Sequence, residues 1–333
     1  MRIRALSPRR PRTVRPTGRA WPRNCTPDIP GRSSGPGRSG AAFPPRRPSG
    51  RSGMTARRRA PNDRSRPLLE LYHFWDSPCC FKVRLVLAEK GLDWTERYIA
   101  THRFEHFRPE YQALNRHSKI PTLVHDGRPV IQSSEIARYL DERFPEPRLQ
   151  PDDPAARATM REWIAEEQEY LFPLIVTLSF NLMMKLRSVG FGMEQLREWS
   201  LRHPDQARAQ DYLHRVSGPP DHAGVDAAAA KFRWHMTHLE DALAASGGPW
   251  ICGPDYSLAD ICVAPILDRA LSLDRARLWA DLPAVGAWYE RMTSRPAFRQ
   301  AAPPFDYRMW GPLKPPPARS VDPAAAGDTF PAG

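Results

Sequence analysis

The chain has 333 residues, enough for one large domain or two of ordinary size. Its formal net charge of +12 points to nucleic acid or a membrane surface until the charge is located. Of 49 Lys+Arg and 37 Asp+Glu, 18 and 2 fall in the first 66 residues, leaving a mildly acidic remainder of 31 and 35, which removes the main argument for a nucleic-acid-binding body.

Residues 1–66, with strings such as "SPRRPRTVRPTGRAWPR", are rich in Arg, Pro, Gly and Ser and poor in apolar side chains. They bury too little surface to offset the entropy of ordering, so a disordered basic extension is expected. An organellar transit peptide, a nucleic-acid-binding arm and a translation start at Met54 all fit it. The start at Met54 is favoured, because "MTARRRAPNDRSRPLLELYHF" makes an ordinary lead-in to a strand. No apolar run reaches bilayer length, so no membrane partner is expected, and the expected location is the cytoplasm.

From Leu68 the elements alternate. "LLELYHF" suits a short buried strand, and "FKVRLVLAEKG" has helical spacing with Gly91 as its stop. "WTERYIA" alternates like a second strand, and a polar stretch with helical potential runs from His106 to Leu114. "KIPTLVHDGRPVIQSSEIARYLDERFP" then reads as strand, turn at Asp126-Gly127, strand, and a helix from about Ser133. The order β-α-β-α-β-β-α describes a small mixed sheet with covering helices, placed at residues 67–145.

After the proline-rich connector "FPEPRLQPDDP" the pattern becomes all-helical, over residues 154–302. A long helical stretch carries Pro173 as an expected kink, and Gly192 to Val216 reads as one or two helices. Three more helical segments follow, and residues 303–333 read as a loose Pro/Ala-rich tail. Trp163, Tyr170, Phe172, Phe180, Met183 and Met184 either wall an apolar pocket or form plain core, and core is the better default at helical spacing. Arg187 and Arg269 are candidates for recognising an acidic substrate, with surface salt pairing as the default.

Five cysteines are present, Cys25 in the extension and Cys79, Cys80, Cys252 and Cys262 beyond it. Adjacent cysteines rarely bridge, and no paired Cys/His spacing suggests zinc, so free thiols in a reducing compartment and no metal are expected. In "DSPCCFKVRL", Ser77 stands at the start of a helix, where free N–H groups and the macrodipole favour an anion. A thiolate there has a lowered pKa, and the same holds for Cys79 or Cys80 if either faces the site. The plain alternative is an N-cap Ser77 followed by Pro78 at N1. Ile120-Pro121 at a strand start is a candidate cis peptide, and Ser133 opens another helix that offers N–H and hydroxyl groups to a carboxylate.

Taken together these motifs resemble the cytosolic glutathione S-transferases. "SPCCFKVRL" is similar to the serine-led segment of the zeta class (maleylacetoacetate isomerases), "IPTL" to the family's cis-proline loop, and Gln132-Ser133 to its γ-glutamyl-binding pair. "GPDYSLADICVAP" is similar to the signature of the family's second domain, where Ser257 and Asp260 fit a capping box with Tyr256 and Ile261 as staple. The resemblance implies a thioredoxin-like N-terminal domain followed by an all-helical C-terminal domain, and a homodimer.

By the same resemblance Ser77 stabilises the thiolate of glutathione, the co-substrate, while Ile120, beside Pro121, pairs with its cysteinyl unit. Gln132 and Ser133 hold the γ-glutamyl end, and His106 or Lys119 approaches the glycyl carboxylate. Cys79 falls where the zeta-like tetrachlorohydroquinone reductive dehalogenases carry an exchanging cysteine, and Met193 to Asp226 is similar to their extra helix. The implied activity is attack of glutathione on a small electrophile, by conjugation, isomerisation or reductive dehalogenation. The competing class is a glutathione-binding or interaction module of the same fold without turnover.

Overall fold

The structure, a computed structural model, describes residues 68–304 except the side chains of Leu186, Arg187 and Val189. The basic extension, nearly all of the C-terminal tail and the Arg187 side chain therefore lie outside the described residues.

Strand β1 (Leu69–His73) leads through a tight turn into helix α1 (Pro78–Glu89), then β2 (Thr95–Tyr98) and two single 3₁₀ turns at Thr101–Arg103 and Glu105–Phe107. Helix α2 (Pro109–Leu114), strands β3 (Thr122–His125) and β4 (Arg128–Ile131), and helix α3 (Ser133–Arg143) follow. The sheet order is β2-β1-β3-β4, with β2 parallel to β1 and the other two pairings antiparallel. Asp126 and Gly127 both have positive φ, as a two-residue hairpin turn matched to strand twist requires. The expected strand and helix order is thus the observed one.

Every residue of α1 from Cys80 to Leu87 is buried. The helix packs on α3 and, from the second half of the chain, on α10 (Leu258–Ser272) and α12 (Pro296–Ala301). This stretch has no solvent face, so its two charges, Lys82 and Arg84, must find partners inside. Arg84 donates to His73 Nδ1, the Trp75 carbonyl and the Ala301 carbonyl, and stacks 4.4 Å over the Trp75 ring. The connector is held by Lys90, whose Nζ lies 2.6 Å from Asp141 and donates to the carbonyls of Phe144 and Pro147.

The long helical stretch is α4 (Pro154–Glu166), α5 (Phe172–Ser179) and α6 (Lys185–Phe191), joined by π-helical segments at Glu167–Leu171 and Phe180–Met184. At the first of these, Phe172 N–H donates to the Glu167 carbonyl five residues back. Pro173 has no N–H to give the carbonyl of Glu169, so the change of pitch falls where the α ladder is already broken. Met193–Ser200 forms α7 and Gln206–Ser217 forms α8, the second of the two readings of that stretch, each with residues in a satellite core of Leu196, Leu213 and Val216. Helices α9 (His222–Ala245), α10, α11 (Pro283–Ser294) and α12 complete the second half.

The capping box stands at the start of α10: Ser257 Oγ accepts from Ala259 N–H, and Asp260 accepts from Ser257 N–H at 2.9 Å. Asp260 also accepts from Trp288 Nε1 and from Ile251 N–H, so one buried carboxylate joins α10, α11 and the loop before them.

Candidate functional site

Ser77 occupies the N-cap of α1 in extended backbone geometry, and its Oγ accepts from Cys80 N–H at 3.4 Å. Pro78 follows at N1, so the helix start lacks one N–H that would have gone unpaired. Ser77 lines a cleft of about 670 Å³ between the sheet half and the helical half. Phe74, Ile120 and the two 3₁₀ turns form one wall; Phe172, Ile175 and Met183 form the other. Helix α8 closes the far end with Tyr212 and Arg215.

An aromatic seam ties this far end to the first half. His102 stacks on Phe191 with ring centroids 5.3 Å apart, Phe107 meets His203 at 4.2 Å, and Phe104 meets Tyr212 edge-on. Phe104 sits at φ 58 between the two 3₁₀ turns. None of these rings was read from sequence as part of a site, because the contacts join segments about a hundred residues apart.

The anticipated site residues divide by position. Ile120 and His106 line the cleft with Ser77. Pro121 is buried, and the Ile120–Pro121 bond is cis. His106 Nδ1 has no hydrogen-bond partner. Burial, with His203 adding, lowers its pKa to about 4, so at neutral pH it meets a ligand as neutral imidazole. Lys119 is exposed, and its described contacts are through its carbonyl, which accepts from Tyr111 Oη and Asn115 Nδ2. Gln132 is the N-cap of α3 at φ 70, a backbone region that costs a non-glycine residue about 1–3 kcal/mol and is found mainly at functional sites.

Cys79 corrects an expectation. Its side chain does not line the cleft: the sulfur is enclosed by protein beside Ser133, although part of the residue stays exposed. Burial pushes the thiol up to about 12, with Lys82 opposing and Glu167 and Cys80 adding. The low-pKa thiolate expected at the helix terminus is therefore not formed, because desolvation outweighs the dipole. Cys80 is fully buried, and burial raises its pKa as well. The four described cysteines are free.

The aromatic and Met residues split too. Phe172, Met183 and Met184 line the cleft, Trp163 is core, Phe180 packs on the satellite core, and Tyr170 is exposed. Arg269 lines the cleft but is engaged in a buried ion pair with Asp76, and so is not a surface salt pair. Among the described residues no group of His, Cys, Asp and Glu is arranged to hold a metal ion, and no helix is long and apolar enough to cross a membrane.

Residues 71–148 match the glutathione S-transferase N-terminal domain and residues 222–291 the C-terminal domain. The maleylacetoacetate isomerase of Pseudomonas aeruginosa is 32% identical over 71% of this chain and 96% of its own length. The chain belongs to the glutathione S-transferase family. The tetrachloro-p-hydroquinone reductive dehalogenase of Sphingobium chlorophenolicum is 26% identical over 71% of this chain and 96% of that one. Among solved structures, the β-etherase LigF from Sphingobium sp. strain SYK-6 matches with a TM-score of 0.61 at 26% identity, over 70% of this chain and 98% of that one. The thioredoxin-like sheet half and the helical half are thus those of a glutathione S-transferase, and these relatives are named as enzymes.

Proposed function

We propose that the protein binds glutathione with its sulfur at Ser77 and adds the thiolate to a small electrophile held in the cleft. The observation that carries this is Ser77 at the start of α1 on the cleft wall, facing the apolar side chains of α5. Its Oγ accepts from Cys80 N–H, which leaves the hydroxyl proton able to donate toward a thiolate. Ile120 then pairs with the cysteinyl unit, Gln132 and Ser133 with the γ-glutamyl end, and neutral His106 or Lys119 approaches the glycyl carboxylate. The chemistry after thiolate attack is conjugation, isomerisation or reductive dehalogenation, and no metal takes part in the step.

A cytoplasmic homodimer belongs to the same proposal. It is supported by the free thiols and by Tyr170 and Trp234, exposed by 49 and 64%. Ser77→Ala tests the catalytic reading. Loss of one donor to the developing charge lowers kcat by about 100-fold with electrophile saturating. Unchanged turnover would remove Ser77 from the mechanism.

A further inference from the structure

Behind the Ser77 cleft, α1, the first turn of α3, α10 and the π segment Glu167–Leu171 enclose a polar cluster within an apolar interface. Lys82 Nζ donates to Glu167 Oε2 at 2.5 Å and to Ser134 Oγ at 3.1 Å. Lys82 and Glu167 are each 1% exposed. Cys262 of α10 adjoins Ser134, and Cys79 adjoins Ser133. Burial alone would strip Lys82 of its proton, but the Glu167 carboxylate against it outweighs burial and holds the ammonium charged.

A buried ion pair is a poor stabiliser, since an apolar pair of similar volume often does as well or better. What this one does is geometric. Its two ends reach different elements: Ser134 lies beside Ser133 in the first turn of α3, and Glu167 begins the π segment that leads into Phe172 on the cleft wall. Gln132 needs such a restraint, because a non-glycine residue at φ 70 persists only where its surroundings hold it there.

We propose that Lys82 and Glu167 are positioning residues that, through Ser134, fix the Gln132–Ser133 end of the glutathione site in register with the α5 wall of the electrophile site. The inference rests on the glutathione reading above.

The test uses the full chain as Ser134→Ala, which removes one hydroxyl, and as Lys82→Met with Glu167→Leu, which replaces the ion pair with apolar groups. Two quantities are read: hydrogen exchange at the Ile136 amide, which donates to the Gln132 carbonyl, without ligand, and glutathione affinity by calorimetry. Exchange is expected to rise and affinity to fall by about tenfold each, the worth of one hydrogen bond to a charged group. The KM for glutathione should rise in step with the loss of affinity. Folded variants with wild-type exchange and affinity would overturn the proposal. If the double variant does not fold, Ser134→Ala decides alone. A wild type that binds no glutathione would sink the glutathione reading, whereas the exchange comparison still reports on the strut.

Discussion

Arg269 Nη2 of α10 lies 2.8 Å from Asp76 Oδ1, one residue before Ser77. Both side chains are 6% exposed. Arg269 also donates to Asp76 Oδ2, to the Asp76 carbonyl and to Met183 Sδ. The helical half thus grips the turn that presents the proposed thiolate ligand. Arg269→Met removes the paired cation from the buried Asp76 carboxylate at the cleft edge, a loss of about 3–5 kcal/mol. Urea unfolding should show that loss, with a smaller one for Arg269→Lys, which keeps the charge but not the planar fork. Equal stability of wild type and Arg269→Met would mean that the pair is neutral.

The second expected outcome concerns Ser257, fully buried at the N-cap of α10. Ser257→Ala removes the acceptor for Ala259 N–H and should cost about 1–2 kcal/mol, at the upper end for a cap because nothing replaces it. The same variant should titrate glutathione as wild type does, since the cap touches no part of the cleft. A weakened titration would place the box within the binding machinery.

The buried thiols set the third. Burial raises Cys79 from 9.0 to about 12, and Cys252 and Cys262 to about 11. A group whose pKa is higher in the folded than in the unfolded chain stabilises the fold while protonated. That contribution is whole below pH 9 and is lost as pH rises through 11 to 12. Lys82, also raised, acts in the same direction. Urea midpoints should therefore fall steadily above pH 9, and less steeply in Cys79→Ala. At pH 8 Cys79 should alkylate more slowly than a small free thiol; faster reaction would restore the reactive cysteine expected from sequence.

Much of this was legible in the sequence, for reasons local to the chain. Alternation, Gly91 and the Asp126-Gly127 turn fix the sheet half, and Ser257 with Asp260 marks a helix start through the spacing of one carboxylate. Ser77 was readable because a cap is a contact within four residues. Cys79 misled because its position favours an anion, whereas its environment comes from Ser133, Lys82 and Glu167, the last of them 88 positions away. A signal for the Lys82–Glu167 pair was present: Lys82 and Arg84 are charges in the apolar stretch Cys80–Leu87, and such charges need buried partners. Which partners they find is a property of the tertiary contacts alone.

The two π segments make the rod from Pro154 to Phe191 a crankshaft. Each closure over five residues adds one residue to the α pitch and turns everything downstream by about 100°. Met160 and Trp163 can thereby face the core upstream while Phe172 and Val176 face the cleft downstream, without a break in the helix. Beyond Glu167, the segment Glu167–Leu171 is accordingly constrained in its count more than in its composition. Removing any one of its residues would leave a good helix and swing the cleft wall by that same angle away from Ser77.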